Sequence, residues 1–344
     1  MNKILKFTLV LALFASSLFA ERTITDQLGR EVKLPDEVKR IVVLQHQSLN
    51  ALNEINAMDK VVGVLQSWEK QLGKAYLRLA PSLKDMPTPG DLKTINYEAV
   101  LKLKPDVVIV TNYIAKDQLA KMDELKIPVV GVSFQKTDSS VKDKLNPTFK
   151  DDEVAYTEGF YEGIELLGKV ANREKEADEL IKYVKKSQSE LKAKMADLES
   201  AKRVKIYMAN PDLHTYGSGK YTGIFFERAG GENVAKKDIV GAKQISAEQL
   251  LAWDPDMIFV QERFPQVPAE LKDNAALKNL KAIKDGKIFM MPEYAKAWGY
   301  PTAEAMALGE EWLAIKLYPQ LFNGVDFDKK VEDFYHKFYR TSYK

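Results

Sequence analysis

The chain has 344 residues, of which 51 are lysine or arginine and 49 are aspartate or glutamate, and it contains no cysteine. This near balance of charge gives no indication of nucleic acid or an anionic membrane surface as a partner. The absence of cysteine excludes disulfides, thiol catalysis, thiolate metal sites and lipid attachment through an N-terminal cysteine.

Residues 1–20 are typical of a secretory signal peptide. Lys3 and Lys6 precede an apolar run at 7–13, and small residues follow as far as Ala20, after which we expect cleavage. The apolar run is too short to span a membrane, and no other stretch approaches about 20 apolar residues. We expect a soluble, monomeric mature protein in the periplasm, neither a lipoprotein nor embedded in the membrane.

Residues 21–152 predict strands that alternate with helices, after a short hairpin at 23–34. Strands are expected at 40–44, 61–65, 107–110 and 129–132, and helices at 49–58, 98–103 and 118–125. This alternation builds a parallel sheet, and ligands collect at the carboxyl ends of its strands. His46, Trp68 and Tyr113 follow three of these strand ends, so each is a candidate ligand contact.

The middle of the chain, 153–200, predicts connecting helices at 153–170 and 174–198. In the second helix apolar residues recur three, four or seven apart, without glycine or proline, which indicates one apolar face. About 25 residues at 1.5 Å each span about 37 Å, enough to join two small α/β lobes. We therefore interpret this helix as a rigid strut between lobes.

Residues 201–344 repeat the pattern of the first half. Strands are expected at 204–208, 257–260 and 288–291, helices at 222–229 and 302–316, and an amphipathic tail at 326–339 that packs on the second lobe. The segments that follow these strands supply further candidate ligand contacts, which are His214, Tyr216, Arg263, Trp298 and Tyr300.

An internal repeat supports the two-lobe interpretation. Residues 95–110 and 245–260 share Ile, Glu, Leu, Pro, Asp and Val at matching offsets. Two related halves on either side of a long helix favour two lobes over one large core. The predicted fold is α/β, with two Rossmann-like lobes, at 21–152 and 201–344, and a ligand cleft between them.

Four sequence motifs, which follow one another along the chain, indicate a resemblance to a known protein family. They are Pro-Asp-Val-Val-Ile-Val at 105–110, Thr-Tyr-Gly-Ser-Gly-Lys at 215–220, Ala-Gly-Gly-Glu-Asn-Val at 229–234 and Ser-Ala-Glu-Gln-Leu-Leu at 246–251. With the strut, they make the mature chain resemble the helix-linked periplasmic substrate-binding proteins of ABC importers, which carry ferric siderophores, haem and cobalamin. The resemblance implies little hinge motion and an inner-membrane permease dimer, with its ATPase, as partner.

In that family one glutamate in each lobe docks into basic pockets of the permease. The resemblance places this role on Glu98 and Glu248, which occupy equivalent positions in the repeat. Two carboxylates at a fixed separation can meet arginine or lysine on a symmetric dimer through charge-assisted hydrogen bonds. The alternative is that each glutamate only stabilises the start of a helix.

The histidines do not predict a bare metal site. His46 and His214 are possible ligand or metal contacts, but three histidines without cysteine and without close spacing do not form a zinc or nickel cage. We expect no cofactor, and any metal to arrive inside a chelator. The aromatic candidates suit a bulky organic ligand. For an anionic ligand, Arg263 is favoured over Lys136 and Lys220 as the positively charged side chain that binds it.

Three functions remain open from the sequence. The leading hypothesis is capture of an iron–siderophore or similar metal chelate for delivery to an ABC permease. The second, in the same class, is capture of molybdate or tungstate, for which hydroxyls such as Ser48, Thr111 and Ser218 are candidates. The third is an enzyme resembling a metal chelatase, although we find no residue set arranged for catalysis.

Overall fold

The computed structural model describes residues 20–137, 149–198, 203–296 and 299–343. The expected signal peptide at 1–20 lies outside these ranges except for Ala20, and Trp298 also lies outside them. Within them the chain forms two α/β lobes, each built on a parallel four-stranded sheet. The expected fold class is therefore confirmed, whereas the boundaries of the lobes stay a prediction.

The N-terminal lobe begins with an antiparallel hairpin and continues with the parallel sheet, in the strand order β4-β3-β7-β8. Its strands are β1 Glu21–Thr25, β2 Glu31–Pro35, β3 Ile41–Val43, β4 Val61–Val64, β5 Gly90–Asp91, β6 Thr94–Ile95, β7 Val107–Thr111 and β8 Val129–Val132. Its helices are α1 His46–Glu54, α2 Trp68–Leu72, α3 Tyr97–Lys102 and α4 Lys116–Glu124. The parallel strands are buried along their length because helices cover both faces of the sheet.

Two antiparallel helices, α5 Asp152–Ala171 and α6 Glu174–Met195, connect the lobes. At its start α5 accepts a hydrogen bond from the Gly219 amide to Asp152 Oδ2 (2.9 Å), and near its end the Val170 carbonyl accepts one from Arg22 (3.3 Å). The chain returns through α6. The two expected connecting helices are therefore present, and the apolar faces of both pack into one core that extends through the two lobes.

The C-terminal lobe contains the second parallel sheet, in the order β11-β9-β13-β14. Its strands are β9 Val204–Ala209, β10 His214–Tyr216, β11 Gly231–Asn233, β12 Ala242–Gln244, β13 Met257–Val260 and β14 Ile288–Met290. Its helices are α7 Tyr221–Arg228, α8 Ala247–Trp253, α9 Val267–Asp273, α10 Lys281–Lys284, α11 Glu310–Leu317 and α12 Phe327–Phe334, with π-helical turns at Ala305–Gly309 and Tyr335–Tyr339.

The internal repeat of the sequence is a repeat of structure. Asn96 caps α3 by accepting from the Ala99 amide, and Ser246 caps α8 by accepting from the Gln249 amide. Side chains at these positions accept hydrogen bonds from backbone N–H groups of the first helical turn, which have no acceptor within the helix. The two helices therefore start in the same way, one on each lobe.

The C-terminal tail contacts both lobes. It packs on the C-terminal lobe, but Arg340 Nη2 also donates to the Asn53 carbonyl (2.6 Å), and the Tyr339 hydroxyl lies 3.1 Å from Asn50 Oδ1. Both partners belong to α1 of the N-terminal lobe. The tail thus packs on the second lobe, as expected, and also contacts the first, which the sequence did not indicate because an amphipathic pattern shows an apolar face but not everything that covers it.

Candidate functional site

The carboxyl ends of the two sheets face each other across a cleft. His46 opens α1 directly after β3, and Arg263 follows β13 of the other lobe. The positive charge of Arg263 acts on His46, and the side chains of Tyr300 and Gln135 share a hydrogen bond. Tyr113, which follows β7, also lies close enough to influence Tyr300. Residues from both lobes therefore converge here.

His46 is half-buried and faces two cations. Loss of hydration lowers the pKa of its imidazole to about 3, helped by the positive charges of Arg263 and Lys296. The ring is therefore neutral at neutral pH, with one nitrogen able to donate a hydrogen bond and the other able to accept one. An anion between these groups would favour the protonated ring.

Arg263 reaches into the space between the lobes. Burial lowers the pKa of its guanidinium, while a hydrogen bond with Tyr216 acts in the opposite direction. The guanidinium also lies 4.8 Å from the centre of the Phe264 ring. A space of about 40 Å³ separates Arg263 and Lys296 of one lobe from Gln71 and Leu72 of the other. The guanidinium can contact an anion in this space with several N–H donors.

Lys220 supplies another cation to the cleft. It is 5% exposed, and its ammonium lies 5.1 Å from the centre of the Tyr300 ring. Burial lowers the pKa of Lys220 to about 8, so most of its ammonium remains charged at neutral pH. Tyr300 packs edge-on against Tyr156, whose hydroxyl donates to the Gly219 carbonyl (3.0 Å). The aromatic rings thus fix the position of the lysine.

A second, wider space opens on the N-terminal side of the cleft. It has a volume of about 760 Å³ and lies against the ends of β3, β4 and β7. His46 and Tyr113 line it, together with Gln45, Ser67 and Asp91. This groove is large enough for a bulky ligand, whereas the space beside Arg263 is not.

Other candidate residues lie elsewhere. His214 is exposed on β10, with its Nδ1 3.1 Å from the Pro211 carbonyl oxygen. Trp68 is 7% exposed and belongs to the hydrophobic core. In the described ranges no group of three or more His, Cys, Asp or Glu side chains is placed to hold a metal ion. His214 is not among the residues that line the two spaces of the cleft, whereas Trp68 opens α2, whose Gln71 and Leu72 line the space beside Arg263.

The three candidate hydroxyls already make internal hydrogen bonds. Ser48 donates to Gln45 Oε1 (2.5 Å), Thr111 to Asn112 Oδ1 (3.2 Å) and Ser218 to the Ile239 carbonyl (3.1 Å). A hydroxyl has one proton to donate, so an anion would have to displace these bonds. Lys136 forms an exposed ion pair with Glu162 (2.8 Å).

Sequence reasoning missed Lys296 and Gln135. Lys296 follows β14, and its Nζ donates to Glu304 Oε1 (2.7 Å) and Asn50 Oδ1 (3.3 Å). Gln135 follows β8 and donates to the Tyr156 hydroxyl (3.4 Å). Their positions after parallel strands were the available signal, because polar residues at that edge face the cleft.

Glu98 and Glu248 lie in the first turns of α3 and α8 and are not among the residues that line the two spaces of the cleft. Both side chains are exposed, and burial varies identically along the six residues at 95–100 and 245–250. Each lobe thus presents one carboxylate at an equivalent position. Their role in docking stays a prediction.

No helix in the described part of the chain has the length and apolarity to cross a membrane. The molybdate-binding protein MolA of Haemophilus influenzae is 50% identical over 343 residues, covering 99% of this chain and 98% of MolA. The solved structure of MolA bound to molybdate has a TM-score of 0.91 at 51% identity, covering 94% of this chain and 99% of that one.

More distant relatives bind other ligands. The Fe(3+)-citrate-binding protein YfmC of Bacillus subtilis is 28% identical over 274 residues, with 78% of this chain and 77% of YfmC covered. A periplasmic solute-binding protein of Veillonella parvula matches with a TM-score of 0.78 at 26% identity, covering 94% of each chain. These relatives are transport-associated binding proteins rather than enzymes. The family described as periplasmic binding protein matches residues 41–295, and the chain belongs to this family.

Proposed function

We propose that this protein captures a tetrahedral oxyanion of the molybdate and tungstate type in the periplasm and delivers it to an ABC permease. This reverses our order of preference, which placed a ferric siderophore first. The relative that covers nearly the whole chain at 50% identity is named for molybdate, whereas the ferric citrate relative is 28% identical.

The observation that carries the proposal is the size of the space beside Arg263. At about 40 Å³ it holds only a few atoms of the size of water oxygen. Sites for larger organic ligands usually measure about 300–1,000 Å³. A compact anion fits between Arg263, Lys296 and the opposite lobe, and a siderophore or haem does not.

The space beside Arg263 is lined by two cations, Arg263 and Lys296, and by two carboxyl groups, Glu262 and Glu293, and the N–H donors among these side chains can bind an anion. Arg263 presents several N–H donors, and neutral His46 can add one more. Hydrogen bonds to ionised groups are stronger than neutral ones, particularly where little water is present. Because an anion favours the protonated form of His46, oxyanion binding should be accompanied by proton uptake and should strengthen as the pH falls.

A metal chelate is the second candidate, and the groove of about 760 Å³ favours it. That groove has room for a bulky ligand and presents His46 and Tyr113. It lacks Arg263, so an anionic chelate placed there would rely on residues of the N-terminal lobe. We rank this candidate lower for that reason.

Calorimetric titration of the purified protein tests the proposal. Molybdate and tungstate should bind, and ferric citrate and haem should not. Thermal unfolding gives an independent check, since a ligand at a hundred times its dissociation constant stabilises the fold by about 2.7 kcal/mol. Binding of ferric citrate, without binding of either oxyanion, would replace the proposal by the second candidate.

A further inference from the structure

A cluster of five buried side chains lies beside the cleft where the lobes meet. It consists of Asn50, Glu54, Lys296, Glu304 and Tyr339, and we call it the inter-lobe cluster. Lys296 Nζ donates to Glu304 Oε1 at 2.7 Å, with side-chain exposures of 3% and 0%. The hydroxyl of Tyr339 donates to the same carboxylate and lies 3.3 Å from Glu54 Oε1.

The cluster contains two carboxyl groups but one ammonium. Burial raises the pKa of Glu54, and the neighbouring negative charge of Glu304 raises it further. Burial acts in the same direction on Glu304, but Lys296 outweighs it and holds the pKa of Glu304 below its usual range. Two adjacent buried carboxyls cannot both ionise easily, so they share one proton, which resides on Glu54.

Lys296 also belongs to the cleft. Together with Arg263 it lines the space of about 40 Å³ between the lobes, and its charge acts on His46. The negative charge of Glu304 compensates that of Lys296 at a distance of 2.7 Å. The ionisation of the carboxyl pair therefore determines how much positive charge an anion in the cleft encounters.

We propose that the Glu54–Glu304 pair determines the ligand charge for which this cleft is suited. With one proton shared, the pair carries one negative charge, which compensates Lys296 at the edge of the space that Arg263, Glu262 and Glu293 also line. The two carboxyl groups are redundant. If one is removed, the other ionises and compensates the positive charge of Lys296 in its place. This inference rests on the proposed binding of an oxyanion.

Several groups face the pair and contribute to its titration. They are Lys296 from the segment after β14, on which Glu293 also acts, Tyr335, Tyr339 and Arg340 from the tail, and Tyr76 from the segment after α2. Lys296 bonds directly to Glu304, so its charge dominates the balance.

Tungstate and perrhenate provide the test. Both are tetrahedral oxyanions, but tungstate carries two negative charges and perrhenate carries one. Glu54→Gln and Glu304→Gln should each bind both anions as the wild type does. The double variant removes the compensation of Lys296 by this pair and leaves Glu293 as the remaining carboxylate that acts on it. At about pH 6 its affinity for perrhenate should rise on the order of tenfold, and that for tungstate on the order of a hundredfold, since Coulomb energy scales with ligand charge.

Glu310→Gln is a matched control, because Glu310 is also a fully buried carboxylate but pairs with Arg228 (3.1 Å). It should leave both affinities unchanged. Unchanged affinities in the double variant, or an increase in either single variant as large as that in the double, would overturn the inference.

A ligand-free measurement separates this inference from the proposed function. Infrared difference spectra at neutral pH should show the carbonyl band of a protonated carboxylic acid in the wild type and its loss in Glu54→Gln. Absence of that band would overturn the inference even if tungstate binds. If the band is present but wild-type protein binds no oxyanion by titration, the proposed function fails, and the assignment of ligand charge fails with it.

Discussion

The outer faces of the two lobes are alike, whereas their cleft edges differ. Helices α3 and α8 are capped in the same way and expose one glutamate each. At the cleft, the N-terminal lobe presents His46 and Asp91, while the C-terminal lobe presents Arg263, Lys296 and Glu262. Duplicated features suit a symmetric partner, and divergent ones suit a small asymmetric ligand.

The largest expected effect concerns the outer face. Changing both Glu98 and Glu248 to Ala should abolish uptake in cells, because two charge-assisted contacts to the permease are lost together. Ligand affinity and melting temperature of the purified variant should not change. Replacing Glu174 and Glu179, two exposed residues of α6, is the matched control. Normal uptake by the first variant would refute the docking assignment.

The next effect concerns the charge of the cleft. Arg263→Ala should weaken tungstate binding by about 2–5 kcal/mol, the usual result of removing one partner of a buried charge pair. Calorimetry measures the change, and Arg40→Ala, which removes an exposed arginine, is the control. If the affinity is unchanged, Arg263 is not part of the site.

A smaller effect follows from Lys220, whose pKa is lowered to about 8 by burial. Its positive charge is lost as the pH rises through that value, so oxyanion affinity should fall on the alkaline side. Lys220→Gln should remove this pH dependence and lower the affinity at pH 7 about tenfold, since a bond to a charged group contributes about 1.5–3 kcal/mol. Lys236→Gln, at an exposed lysine, should do neither. If oxyanion affinity still falls at alkaline pH in the Lys220→Gln variant, a group other than Lys220 causes the decline.

The smallest effect is on the ligand-free fold. The pKa of His46 is about 3 in the folded state and about 6.5 when unfolded. The unfolded chain therefore binds more protons between these values, and the free energy of unfolding should fall as pH decreases from about 6.5 to 3, by at most about 1.4 kcal/mol per pH unit. His46→Gln should reduce this slope in denaturant titrations. His336→Gln, at a 60% exposed side chain, should not.

The periodic parts of the fold could be predicted from the sequence, and the non-local parts could not. The core strands follow continuous apolar runs, so β3, β7, β8 and β13 lie where expected. Helix α1 begins three residues early, at His46, because its first turn is polar and resembled a loop. Strand β11, which starts at Gly231, was missed, since its hydrogen bonds come from β9 rather than from a local signal.

The candidate site was partly predictable for the same reason. Arg263 was predicted as a candidate because it follows β13, and the ends of parallel strands face a cleft in such a sheet, whereas Tyr216 lies on the antiparallel strand β10. Lys296 was missed because its partners Glu304 and Asn50 lie 8 and 246 residues away in sequence. The ligand depends on side chains from both lobes, and no local pattern shows which of them meet.

The course of the tail has a practical consequence for protein production. Arg78 of the N-terminal lobe donates to the Ser342 carbonyl and lies over the rings of Tyr335 and Tyr343. An affinity tag fused directly after residue 344 would begin within two residues of these contacts. Because they join the tail to the opposite lobe, such a tag would disturb the spacing of the cleft, and binding constants should be measured on tag-free protein.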